Sequence, residues 1–285
     1  MERLLAGDSA KDVLGRANAL DNRTCTQVIS RYGRIRRKEA WRVAEEVVEM
    51  LKAAGVQPNE YTYSALISAY EKGGGQWERA EAAVAEMRAA GLQPNVITYG
   101  ALFACLAGQP EHILAHLASA TQDPSLAGNM LLWDGALGGL WPPTAGAGSP
   151  GAALAVETLA SALSKGLAPA LPVGTFLDLH DFSPGGARAT VVAWLLARAR
   201  EEGGGSPSPR LEVITGRGLG SEGGVPVVKP AVEQLLREVG VSFREAEGNP
   251  GALVVDTEDA RRGLLAAPSD VARRLVDAAR AGSDS

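Results

Sequence analysis

The sequence has very little cysteine: Cys25 and Cys105 stand alone in 285 residues, far apart and outside any metal-type spacing. That gives no grounds for a disulfide framework or a cysteine-ligated zinc site, and it fits a reducing compartment with both thiols as packing residues. Histidine is almost as rare. His112 and His116 lie one helical turn apart, as a zinc pair would, but no third ligand follows, so an ordinary helix face is expected there. Aromatics make up only 5% while alanine and glycine abound, which points to helices packed through small side chains and to some linker. No apolar run reaches the roughly 18 residues that a membrane helix needs, so a soluble chain without membrane partners is expected. A basic excess is also missing, because the formal charge is -5. Any affinity for phosphates must therefore come from local patches.

What is present is enough to fold. With 46% hydrophobic residues, the chain can fill one large core or two modest ones. Its opening, MERLLAGDSAKDVLGRANALDN, has neither the apolar core of a signal peptide nor the Arg- and Ser-rich, acid-poor character of a transit peptide. An organelle address is therefore either atypical or upstream of this sequence.

Self-similarity is the strongest signal. AAGVQPNEYTYSALISAY, ending at Tyr70, recurs as AAGLQPNVITYGALFACL, ending at Leu106. Gly55, Pro58, Asn59, Thr62, Tyr63, Ala65 and Leu66 return 36 residues later as Gly91, Pro94, Asn95, Thr98, Tyr99, Ala101 and Leu102. In each copy a Gly-x-Gln-Pro-Asn stop separates two apolar-periodic stretches, so one helix ends near the glycine and another begins after Pro-Asn. The periodicity predicts helices over about 61–72 and 77–90, joined by the turn at Gly73 to Gly75. Helical hairpins of this kind stack into a solenoid.

These residues, with NVITYGAL and ERAEAAVAEMRAAGLQPN in register, resemble the pentatricopeptide repeat family over about residues 24 to 120. The resemblance implies single-stranded RNA as partner, read at about one base per repeat by the fifth residue of the first helix and the last residue of the motif. Carried over, the reading pair of the unit Glu60 to Asn95 is Ser64 with Asn95, a combination associated with adenine. The preceding unit, irregular around RYGRIRRKEAW, offers Thr26 and Asn59, while the following one has Gly100 at the reading position and decays after Leu106. Taken singly, Asn59 and Asn95 would merely cap helices and Ser64 would be a solvated residue. The basic cluster Arg31, Arg34, Arg36, Arg37 and Lys38 could hold phosphates, although charge runs more often form solvated faces.

Residues 24–140 are thus expected to form all-α repeats after a poorly defined 1–23, and WPPTAGAGSPGAA reads as the start of a linker-and-helix stretch over 141–171. From Pro172 the pattern becomes strand TFLDL, helix ARATVVAWLLARAREE, strand LEVIT, helix KPAVEQLLREV and strands VSFRE and ALVV. This predicts a small two-layer α/β domain over 172–260, with an amphipathic helix and tail over 261–285. Strand alternation puts Asp178 and His180 on one side, opposite Leu177 and Leu179. The carboxyl end of the second strand, Thr215-Gly216-Arg217-Gly218, should share their rim. A glycine loop admits an anion close to backbone N–H groups, Arg217 can clamp a phosphate, and His180 supported by Asp178 can move a proton near neutrality. Asp181 adds a carboxylate of the kind Mg2+ accepts, without a defined cage. Read alone, Asp178 would be a turn residue and His180 a satisfied histidine at a helix entrance.

LDLH at 177–180, TGRG at 215–218 and GNPGALVV at 248–255 resemble the Smr (small MutS-related) family in order and spacing. That resemblance implies nucleic-acid cleavage with Asp178 and His180 as catalytic candidates and Thr215, Gly216, Arg217, Gly218 and Ser221 as a phosphate loop. The chain departs from many relatives in having Leu219 and Gly220 just past the loop, where they carry a basic or aromatic side chain. Acidic residues also outnumber basic ones across the domain. The order of repeats, linker and Smr-like domain resembles the combined pentatricopeptide-Smr proteins of plants and algae. This implies an RNA endonuclease of plastid transcripts, alternatively mitochondrial, working alone or with other organellar RNA-processing proteins. A non-catalytic RNA-binding factor and a protein-binding scaffold are the alternative readings.

Overall fold

A computed structural model describes residues 21–33, 40–200, 210–216, 225–266 and 269–284. The chain divides into two compact units, Met1–Leu106 and Ala107–Ser285.

In the first unit, α1 (Asn22–Gly33), α2 (Ala40–Ala53), α3 (Glu60–Lys72), α4 (Trp77–Ala89) and α5 (Val96–Cys105) form successive antiparallel hairpins. Their ends follow from the repeated motif. Gly55 and Gly91 adopt φ of 77° and 78°, a left-handed conformation that costs a side chain but not glycine. The Val56 N–H then closes back on the Leu51 carbonyl at 3.1 Å, and the Leu92 N–H on Met87 at 3.0 Å, which ends the helix in a Schellman-type turn. Three residues later Asn59 and Asn95 start the next helix, each accepting a backbone N–H (Thr62, Thr98) at 3.0 Å. The first helices stack α1 on α3 and α3 on α5, burying Ile29, Leu66, Ile67, Leu102 and Phe103. Cys25 and Cys105 are both buried free thiols, and burial pushes Cys105 up to about 12. Of the basic cluster only Arg31 falls among the described residues.

The second unit begins with α6 (Pro110–Ala120), the short α7 (Pro124–Ala127), α8 (Met130–Leu140) and α9 (Pro150–Ser164). A mixed sheet follows, built from β1 (Phe176–Asp178), β2 (Arg210–Ile214), β3 (Phe243–Ala246) and β4 (Asn249–Asp256) in the order β1-β2-β4-β3. β1 and β2 run parallel, with Asp178 opposite Ile214, and the other pairs are antiparallel. Helix α10 (Pro184–Arg200) joins β1 to β2 and is apolar almost all round, so it is buried among its neighbours α8, α9 and α11 (Val228–Glu238). The chain closes through α12 (Thr257–Arg261), a π-helical turn at Arg262–Ala266 and α13 (Asp270–Asp284), which packs on α9.

One expectation changes here. The 141–149 stretch is no free tether: Trp141 is fully buried and Ala147 nearly so. The Arg188 guanidinium, 4% exposed, lies 4.3 Å from the Trp141 ring centroid and donates to the carbonyls of Ala145 (2.8 Å), Trp141 (2.9 Å), Pro142 (3.0 Å) and Pro184 (3.2 Å). Glu238 accepts the Ala147 N–H from α11 at 2.8 Å. Proline and glycine serve here to expose carbonyls to one buried cation. The helix expected within 141–171 is α9, which packs against α8.

Candidate nucleic-acid interface and catalytic site

The predicted reading residues fall at one recurring place. Ser64 is the fifth residue of α3, and its Oγ lies 2.8 Å from Thr98 Oγ1, on the third residue of α5. Thr98 Oγ1 in turn donates to Asn95 Oδ1 at 3.1 Å. A hydroxyl has one proton, so the chain must run Ser64 Oγ–H to Thr98 Oγ1–H to Asn95 Oδ1. The preceding unit repeats the pattern: Thr26 Oγ1 lies 3.1 Å from Thr62 Oγ1, whose single proton has Asn59 Oδ1 at 3.1 Å and Asn22 Oδ1 at 2.8 Å within reach. Asp21 caps α1 as the asparagines cap theirs, accepting the Thr24 N–H at 2.7 Å. Thr62 and Thr98, visible as repeated residues but without an expected role, thus tie each fifth-position hydroxyl to the cap of the following helix.

Both asparagines cap through Oδ1, which leaves their Nδ2 donors uncommitted to the cap. Ser64 is buried at 7% exposure, rather than solvated, while Asn59, Asn95 and Thr26 are half-buried. Beside them stand two side chains that the sequence reading passed over. Tyr61 and Ile97, each the second residue of its helix, are 70% and 68% exposed. An exposed apolar side chain next to a polar pair offers a base both a face to stack on and an edge partner. Their signal was available in the repeat itself, as apolar residues at a position whose helical phase faces away from the core.

In the second unit, Leu177 and Leu179 are buried and Asp178 and His180 exposed. His180 lies just past β1, where Asp178 Oδ1 accepts its backbone N–H at 3.1 Å and meets its Nδ1 at 2.8 Å. Asp181, considered only as a metal-type carboxylate, instead places Oδ2 3.0 Å from Nε2. With a carboxylate on each ring nitrogen, the imidazolium is the form that satisfies both, and the hydrogen bond from Asp178, then its charge and that of Asp181, raise the His180 pKa. Gly216 ends the neighbouring strand with φ 75°, and its backbone comes so close to His180 that an added Cβ would lie 3.2 Å from the His180 Cβ. Thr215 is buried and donates from Oγ1 to the Gly251 carbonyl at 3.0 Å, which anchors the turn. Arg217, Gly218 and Ser221 lie outside the described residues. Among the described residues no group of three His, Cys, Asp or Glu side chains could hold a metal ion, His112 and His116 included.

A family model described as "Pentatricopeptide repeat domain" matches residues 19–73 and 46–109. Among curated proteins, human NEDD4-binding protein 2 is 40% identical over 79 residues, which cover 28% of this chain and 4% of that protein's length. The hairpins, their asparagine caps and the residues they present occupy the span that the family model matches, which supports pentatricopeptide-type repeats over residues 19–109.

Proposed function

We propose that the chain binds single-stranded RNA through its repeats and that its α/β unit, a Smr-type domain, cleaves the bound RNA in organellar, chiefly plastid, transcript processing. The observation that carries the catalytic part is the meeting of Asp178 and His180, 2.8 Å apart, with the Gly216 turn at the carboxyl ends of two parallel strands. Exposed, and with its pKa raised by Asp178 and then Asp181, His180 suits the role of general acid, giving the Nε2 proton to the oxygen that leaves phosphorus. Asp178 fixes the ring and keeps Nδ1 occupied, while the glycine turn leaves room for a phosphate oxygen beside the backbone. The attacking oxygen is a water or the neighbouring 2′-hydroxyl. On the repeats, Tyr61 and Ile97 stack bases while Ser64 with Asn95, and Thr26 with Asn59, set the preference, adenine at the Ser64 repeat.

A second reading, RNA binding without cleavage, is favoured by one observation: Asp181 already fills Nε2, the nitrogen a phosphodiester would need. The two separate on a labelled single-stranded RNA incubated with the full-length chain. Cleavage lost in both His180→Ala and Asp178→Ala supports the nuclease, whereas gel retardation without product from folded wild-type protein supports the binder.

A further inference from the structure

Helix α8 carries the features of a repeat's first helix without its sequence. Asn129 follows Asn95 by 34 residues and caps α8, accepting the Leu131 N–H at 2.9 Å. Leu131, the second residue, is 50% exposed, as Tyr61 and Ile97 are in their helices. From 131 to 140 the side chains run exposed, three buried, one half-buried, two buried, one half-buried, two buried, residue for residue the order found from 61 to 70.

The fifth residue is Asp134, and its partner defines what comes next. Where Ser64 meets the third residue of the following first helix, Asp134 meets the first turn of α10. Its carboxylate accepts the Ser183 N–H at 3.0 and 2.9 Å and the Ser183 hydroxyl at 3.0 Å. Ser183 is the cap of α10, its Oγ accepting the Gly186 N–H at 3.1 Å, so it stands to α10 as Asn95 stands to α5. Gly186 is the third residue of α10, the counterpart of Thr98, and a Cβ there would collide with the Asp134 carboxylate. Gly138 and Gly185 likewise let the two helices approach, since a Cβ on Gly138 would strike Ser183 Oγ and one on Gly185 the Trp141 carbonyl.

We infer that α10 occupies the place of the first helix of a further repeat, so that α8–α9 is a junction repeat that carries a nucleotide without reading it and passes the next one to the Asp178–His180 loop. Asp134 spends its carboxylate on the Ser183 N–H and hydroxyl, and the cap it meets is a serine without the amide that Asn95 offers beside Ser64. Leu131 remains free to stack any base, which makes this position tolerant of sequence. His180 precedes the α10 cap by three residues, so the step from α8 to α10 is the step from a stacked base to the histidine.

The inference rests on the RNA-binding reading above, and its test keeps the two apart. RNA selected from a random pool by the full-length chain is remade with a single 4-thiouridine at each position in turn, crosslinked and mapped by mass spectrometry. The position that crosslinks next to Leu131 should be unspecified in the selected consensus. Moving the probe by one nucleotide should shift the crosslink to the tryptic peptide that runs from Gly166 to Arg188 and contains His180. A defined base at the Leu131 position, or crosslinks to the two segments from distant nucleotides, overturns the junction repeat while leaving RNA binding intact. If the pool yields no enriched RNA, the RNA-binding reading fails and this one with it.

Discussion

Replacing Arg188 by methionine keeps most of the apolar stem and removes the guanidinium that gathers four carbonyls, at 2.8, 2.9, 3.0 and 3.2 Å, around one buried charge. Hydrogen bonds to a charged group contribute about 1.5–3 kcal/mol each, so the gross loss is about 6–12 kcal/mol. Desolvating the cation costs several kcal/mol in the native protein, and burial lowers its pKa to about 10 against the opposing charge of Glu238, so the variant recovers part of that loss. The net expectation is a destabilisation of about 3–5 kcal/mol, since buried carbonyls left without a donor cost about 1–3 kcal/mol each and the recovered desolvation offsets part of that sum. At about 2–4 °C per kcal/mol for a unit of this size, the second unit should melt roughly 6–20 °C lower. Arg188→Lys, with one ammonium in place of a planar fork, cannot span carbonyls on both sides and should fall between the two. Urea unfolding of the full-length chain, followed by tryptophan fluorescence, reads the effect because Trp141 lies under the guanidinium. A loss below about 1 kcal/mol for Arg188→Met would refute the view that this cation organises residues 141–149.

Asp134 gives a pH signature. Burial pushes its pKa up to about 6 despite the Ser183 donors, so the fold favours the protonated acid and its contribution is lost as pH rises through about 6. From pH 4 to pH 7.5, Asp134→Asn should gain roughly 3 kcal/mol on the wild type in urea titrations; a variant less stable than wild type at pH 7.5 would show the carboxylate acting as a charged cap on α10. Asn95→Ala should cost about 1 kcal/mol in stability through the lost cap and also remove base preference at its repeat, a pairing checked by unfolding and by RNA competition. Tyr61→Ala and Ile97→Ala leave stability unchanged, since both side chains are exposed, yet should weaken RNA binding, about tenfold for the aromatic Tyr61 and less for the aliphatic Ile97. Equal affinity in filter binding would remove stacking from the account. Asp181→Asn frees Nε2 of a competing charge and should tighten RNA binding, which a salt titration would reveal as a steeper slope.

Where one residue answers to its neighbours in sequence, the chain was legible. The Gly-x-Gln-Pro-Asn motif encodes a left-handed turn and a cap within five residues, so both ends of each hairpin follow from local chemistry. The pairing of Asp178 with His180 rests equally on strand alternation. The missed features depend on distant partners. Helix α8 keeps the cap asparagine and the burial order of a repeat but lacks the Pro-Asn-x-x-Thr-Tyr text, because its fifth residue faces Ser183 in place of a threonine. Residues 141–149 have the composition of a tether, and the residues that hold them, Arg188 and Glu238, lie far along the chain. Helix α10, apolar all round, carries no periodicity that would reveal its central position. Asp181 was visible as an acid, but its place on Nε2 depends on the turn that follows β1.

The most direct measurement of the central claim is a single-turnover cleavage assay on an RNA selected by the full-length chain, comparing wild type with His180→Ala and Asp178→Ala at matched RNA occupancy, with and without Mg2+. The account predicts one dominant cut by the wild type, with the rate reduced at least a hundredfold by His180→Ala and more weakly by Asp178→Ala, while RNA retention stays unchanged. Cutting that survives both substitutions, or a wild type that retains RNA and never cuts it, would contradict it.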